Sequence, residues 1–220
     1  MRRRTSRGAW YLSGSLMTAA LALSVAACAR QPYTTQAVYW SPLVRVQLQH
    51  EIEPAGYGHP VALTDLQAAA ILRGFSLRAQ QRLPLRWFAE EEPPRPLMRD
   101  DEIARLAPVL ADAFRKAGPE ERVHFVLAAP GMNRADSQNV TAGWMAVREP
   151  YLYVTIEYFR AEVPLRKTDH YFPNYPLLPP LPGSFLLFFE PGRFWASDRA
   201  GVRALEYREF LKSAAGPPAS

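Results

Sequence analysis

The chain has 220 residues, 48% of them apolar and 12% aromatic, with a formal charge of +5 and one cysteine. That is apolar material enough for one domain-sized core, and a single thiol excludes any intrachain disulfide as its brace. The positive excess is uneven, because Arg2, Arg3, Arg4 and Arg7 open the chain.

An apolar stretch from Leu16 to Ala27 follows these arginines. Extending it back to Trp10 meets Ser13, Gly14, Ser15 and Thr18, which interrupt it. A spanning helix needs about 20 mostly apolar residues. A basic start, a short apolar stretch and small residues at its end predict a secretory signal peptide over 1–27. Val25-Ala26-Ala27-Cys28 resembles the lipobox of bacterial lipoproteins, Leu-[Ala/Ser]-[Gly/Ala]-Cys, with Val25 where leucine is commonest. The resemblance covers residues 1–28 only. It implies cleavage after Ala27, a diacylglycerol on the Cys28 thiol and acylation of the new amine. Each buried methylene is worth about 0.8 kcal/mol, so one chain holds weakly and two or three hold firmly. Ala29 stands where aspartate commonly marks inner-membrane retention, which implies an outer-membrane anchor facing the periplasm. Residues 28–41 then form the lipidated cysteine and a tether.

Removing the four leader arginines from the 26 basic residues leaves a near balance with the 21 acidic ones. A near-neutral chain lacks the clustered basic field that a phosphate backbone requires, so nucleic acid is excluded as a partner.

Residues 42–215 read as one α+β domain, with a mainly antiparallel sheet and two or three helices on one face. Leu43 to Ile52 alternates, with Val44, Val46, Leu48 and Ile52 on one side, which predicts a strand. Pro54 to Pro60 is a loop by turn chemistry. Thr64-Asp65-Leu66-Gln67 is a capping box, opening a helix that ends at Gly74. Phe75 to Leu83 alternates again, as a half-polar strand. Residues 84–98 form a Pro- and Glu-rich connection.

A helix from Arg99 or Asp100 carries Ile103, Leu106, Ala107, Leu110, Ala113, Phe114 and Ala117 on one stripe. Acidic residues start it, Arg115 and Lys116 end it, and Gly118-Pro119 stops it. Pro108 falls on its polar side, predicting a kink rather than a break. Val123 to Ala128 is apolar on both faces, as in a central strand. Residues 140–148 and 151–159 form a hairpin turning at Glu149-Pro150. In its second strand Leu152, Val154, Ile156 and Tyr158 share one face, and Tyr151, Tyr153, Thr155 and Glu157 the other. A Pro-rich loop spans 164–183. Ser184 to Glu190 is a buried strand, followed by a type II turn at Glu190-Pro191-Gly192-Arg193. Ala200, Ala204, Tyr207 and Leu211 mark a weak helical stripe, and 216–220 reads as a disordered tail.

Catalytic chemistry is sparse. The chain has no Gly-x-Ser-x-Gly elbow, Ser-x-x-Lys, His-Glu-x-x-His or P-loop. His50, His59, His124 and His170 show no metal-ligand spacing, and no cofactor motif occurs. His124, between apolar neighbours, reads as a core or sheet-face residue. Glu90-Glu91-Glu92 and Asp100-Asp101-Glu102 read as a solvated loop and a helix-start charge bias before they read as a cation site. The Pro-rich loop is the most unusual segment, since structureless loops beyond about 12–15 residues are uncommon. His170, Tyr171, Phe172 and Tyr175 in it, with Tyr151 and Tyr153, are the candidate partner-binding residues. Together these point to a membrane-anchored, non-enzymatic envelope component with a protein partner. Two other classes stay open: a carboxylate-pair glycan hydrolase, needing two carboxyls about 5–9.5 Å apart, and a carrier with an apolar cavity behind its Phe-rich strand.

Overall fold

A computed structural model describes residues 35–79, 93–132, 136–164 and 185–214. The elements are β1 (Thr35–Trp40), β2 (Val44–His50), α1 (Asp65–Gly74), β3 (Phe75–Ala79), β4 (Arg95–Pro96), α2 (Asp100–Lys116) and β5 (Glu121–Pro130). They continue as β6 (Ser137–Arg148), β7 (Tyr151–Pro164), β8 (Phe185–Phe189), β9 (Trp195–Ser197), β10 (Arg203–Leu205) and α3 (Tyr207–Ala214). The fold is α+β. A seven-stranded sheet runs β1-β2-β5-β6-β7-β10-β9, and a three-stranded sheet runs β4-β3-β8. Every pairing in both is antiparallel.

The helices form where their local signals say. Thr64 Oγ1 accepts from Gln67 N–H and Gln67 Oε1 accepts from Thr64 N–H, closing the capping box. The α2 stripe is buried from Ile103 to Phe114, with Ala117 following it. Pro108 is exposed on the far side and the helix runs through it unbroken, so water can reach the carbonyl that loses its partner. Val44, Val46 and Leu48 of β2 and Val123, Phe125 and Leu127 of β5 share one buried cluster with the stripe.

Four expectations need correction. Thr35–Trp40, assigned to the tether, is an edge strand paired with β2. Tyr158 does not share a face with Leu152 and Ile156. The β6–β7 register shifts between Gly143↔Ile156 and Ala142↔Tyr158, where β7 advances two residues against one. This bulge moves Tyr158 to the opposite face, beside Val126, Val140, Ala142 and Val163. The type II turn is absent: Gly192 has no left-handed φ and opens a 3-10 turn through Phe194. Ala204 belongs to β10, because the carboxylate Oδ1 of Asp198 accepts from the N–H groups of Ala200 and Val202 and folds a hairpin before α3. Gly201 at φ +80° permits that turn. Residues 80–83 of the expected second strand lie outside the described residues.

The bulge requires Gly143. A Cβ there would overlap the Thr155 carbonyl oxygen and press on Ile156. Gly143→Ala is expected to lower stability by about 1–3 kcal/mol, as overpacking does, read from urea denaturation; an unchanged midpoint would refute the close approach.

The segment before α1 is also more ordered than turn chemistry suggests. Tyr57, His59, Val61 and Leu63 are buried in alternation. Its amides bond outward, Tyr57 N–H to Pro119 O, Gly58 N–H to Val147 O and Val61 N–H to Phe114 O. His59 lies between the Tyr57 and Phe114 rings, and its Nε2 accepts from Val147 N–H at 3.0 Å. The neutral ring therefore carries its proton on Nδ1, which has no partner. Burial holds this imidazole below its usual 6.5, against the opposing pull of backbone groups at Glu121 and Gly118 and the Glu121 charge.

Folded His59 thus binds fewer protons than the unfolded chain, and stability rises with pH across that interval. The full contribution is present above 6.5 and is lost as pH falls through it. Asp112, Asp198 and Glu157 are also held below their usual 3.8, 3.8 and 4.5, and lose their contributions only in stronger acid. Denaturation midpoints are expected to fall between roughly pH 6.5 and 5 for the native chain and to stay level there for His59→Gln. An equal slope in both would show that His59 is not the group responsible.

Candidate functional site

Helices and the small sheet pack on one face of the large sheet; on its second face, here called the open face, Arg45, Val140, Ala142 and Val163 are buried while Gln47, Gln49, Arg122 and His124 are partly exposed. Along β2 the open-face residues are Arg45, Gln47 and Gln49, and along β5 they are Arg122, His124 and Val126, each pair in register. Trp144 of β6 lies beside His124. On β7 Glu157 stands on this face in phase with Tyr153 and Thr155, and the bulge brings Tyr158 over beside it.

These residues form one connected row. His124 Nε2 lies 3.1 Å from Glu157 Oε2, and its Nδ1 lies 3.4 Å from the Gln47 amide nitrogen. The Glu157 carboxylate accepts from Nε2–H, and Nδ1 accepts from the Gln47 amide. The His124 hydrogen bond is the main cause holding Glu157 below the usual carboxylate value, opposed by partial burial. Arg122 donates from Nε to Gln49 Oε1 at 3.1 Å and lays its guanidinium 5.1 Å from the Trp144 ring. It also reaches Glu51 at 3.6 Å. Glu51 in turn accepts from the Tyr57 hydroxyl at 2.8 Å. Burial, then that bond, pushes Tyr57 up to about 12.

Tyr151 and Tyr153 stand farther along β7 on the same face. They are half-buried rather than freely exposed, with ring centroids 6.4 Å apart at 74°. The Tyr153 hydroxyl donates to Asp198 Oδ2 at 2.7 Å, tying β7 to the β9–β10 turn. Burial first, then Asp198, pushes this phenol up to about 12. Of the six candidate partner-binding residues, only these two are described; His170, Tyr171, Phe172 and Tyr175, like Cys28, lie outside the described residues.

Both nitrogens of His124 are occupied, and no hydroxyl or thiol bonds to the ring among the described residues. Two open grooves lie elsewhere. One, of 490 Å3, borders Arg73, Gly74, Ser76, Pro94, Pro96 and Glu190. The other, of 510 Å3, runs between Pro60–Leu63 and the Tyr207, Arg208 and Leu211 side of α3. The first carries a single carboxylate and the second carries none. Asp100, Asp101 and Glu102 are engaged by Arg73, Arg99 and Arg105, and no metal-ligand cluster occurs among the described residues. In the Phe-rich strand, Phe189 packs edge-on to Phe75 and Phe210, filling the core instead of lining a cavity.

Sequence reasoning placed His124 on a sheet face but missed its partners. Gln47 and Glu157 lie 77 and 33 residues away in sequence, and only strand order brings them together. No family model, no curated protein and no solved structure matches the chain. Among the described residues no helix is long and apolar enough to cross a membrane.

Glu157→Gln is expected to cost about 1 kcal/mol near neutral pH, since a charge-assisted bond contributes more than that when buried and less when half-exposed. The same change should flatten the acid limb below pH 4.5, because the group it removes is a depressed carboxylate. Parallel denaturation curves at pH 7 and pH 4 check both.

Proposed function

We propose that this chain is a lipid-anchored protein of the bacterial cell envelope, facing the periplasm from the outer membrane, and that it binds a protein partner without catalysing a reaction. The anchor reading rests on Val25-Ala26-Ala27-Cys28 at the end of the apolar leader and on Ala29 after it. The binding reading rests on one observation. The second face of the large sheet carries a fixed row of polar and aromatic side chains around His124.

Such a face suits a flat partner better than a small molecule. Trp, Tyr and Arg are the residues that anchor interfaces, and Arg122, Trp144, Tyr151 and Tyr153 stand on it together. Hydrogen bonds and a cation–π contact hold Arg122, Trp144 and Tyr153, and Tyr151 packs edge-on to Tyr153, so little side-chain entropy remains to be lost on association. Small ligands instead favour concave sites that enclose most of their surface.

The experiment is twofold. The purified native protein is expected to carry acyl mass that is lost in Cys28→Ala. A photo-crosslinking phenylalanine at position 151 should capture one envelope protein reproducibly, while the same group at Leu66, on α1, should not. Equal capture at both positions would refute the open face as the binding surface. An unacylated native chain would refute the anchor.

A further inference from the structure

Exposed large apolar side chains gather at one end of the sheet. Tyr39 is 44% exposed, Trp40 52%, Leu43 40% and Met132 90%. Tyr39 and Trp40 end β1, Leu43 lies in the turn after them, and Met132 follows β5. The β1–β2 turn joins Trp40 to Val44, and the β5–β6 turn follows Pro130. Val44 pairs with Leu127, and Ala128 N–H donates to Leu43 O, so both turns project from the same end.

Charge there is largely spent within the domain. The Arg45 guanidinium lies 5.3 Å from the Trp40 ring centroid. Glu162 accepts from the Met132 amide and from Ser137 Oγ. Four apolar side chains on protruding tips offer much less than the roughly 800 Å2 a side that a stable protein interface buries. Trp and Tyr beside Leu and Met match a different surface, since amphipathic rings concentrate at the headgroup level of membranes.

Chain length supplies the second constraint. Six residues separate Cys28 from β1. Fully extended, they reach about 25 Å at most. β1 itself spans about 17 Å. The chain enters β1 at Thr35, the end away from the turn, and about 25 Å exceeds the length of β1, so a lipid on Cys28 leaves the turn within reach of the bilayer.

We propose that Tyr39, Trp40, Leu43 and Met132 form a membrane-contact tip and enter the headgroup layer of the bilayer that holds the acylated Cys28. This rests on the anchor reading. The tip fixes the domain's tilt, so the open sheet face stands up from the membrane instead of tumbling on its tether. Insertion is shallow, of the 5–10 Å kind that interfacial segments show.

The test uses the full chain, acylated in its host and reconstituted into phosphatidylethanolamine–phosphatidylglycerol vesicles. With Cys28 acylated, a cysteine introduced by Leu43→Cys, Met132→Cys or Leu66→Cys is the only free thiol and takes a nitroxide. Leu66, 82% exposed on α1, is the control. Labels at 43 and 132 are expected to collide with oxygen several-fold more, relative to a water-soluble nickel chelate, than the label at 66. Three like ratios in protein of confirmed acyl mass would overturn the tip while leaving the anchor standing. Spin–spin broadening at 132 would overturn it in favour of contact between two copies. Protein lacking acyl mass would overturn the anchor, and the tip with it. Met132 is on an exposed turn, so its variant keeps the test open if Leu43→Cys fails to fold.

Discussion

The burial of one helix stripe on one sheet face is the contact on which the remaining structure depends. Leu106, Leu110, Ala111 and Phe114 of α2 are essentially inaccessible, as are Val46 and Leu48 of β2 and Val123 and Phe125 of β5. A fully buried Leu, Val or Phe contributes about 1.5–3 kcal/mol, so this layer dominates the favourable side of folding. It also fixes register. A strand slipped by one residue would exchange Val46 for Gln47 and Phe125 for His124, sending the polar row inward. The buried stripe thereby sets which side chains the open face presents.

A single extra residue then edits that face. Without the shift opposite Gly143, β7 would keep the phase of Leu152, Val154 and Ile156 to its end. The bulge places Glu157 and Tyr158 on the same side in succession. Glu157 meets His124, and Tyr158 joins Val126, Val140 and Ala142. Arg160, at φ 47°, donates its N–H to Thr141 Oγ1. An αL backbone at a non-glycine residue costs of order 1 kcal/mol, which the hydroxyl contact and the long β6–β7 pairing offset.

What the sequence made legible was what local physics decides. The Thr64–Gln67 box and the α2 stripe need only neighbours within a turn or two, and the Glu149-Pro150 hairpin needs only the strands beside it. β1 was not legible because Thr-Gln-Ala-Val-Tyr-Trp has little alternation, and an edge strand exposed along most of its length needs none. Its pairing with β2 makes it a strand. The segment Tyr57–Leu63 did alternate, but glycines and prolines around it outweighed that signal. Of the site, His124 was legible as a sheet residue. Its contacts depend on the order of three other strands, which leaves no local mark.

The location of the polar row also argues about what kind of work the face can do. An imidazole acting as a base must exchange protons with a substrate, so one nitrogen has to be free or on a nucleophile. Here Gln47 and Glu157 take both. Under the proposed partner-binding reading, the same occupancy is an advantage. A row whose side chains already satisfy one another keeps its geometry before a partner arrives, and docking leaves fewer rotamers to freeze. Arg122 shows the logic at one residue: held by Gln49 and Glu51 and laid on Trp144, it presents a guanidinium edge in a fixed direction. A face organised this way gains from being held at a constant angle to its surroundings, and a domain carrying apolar turns at one end of that same sheet has the means to hold it.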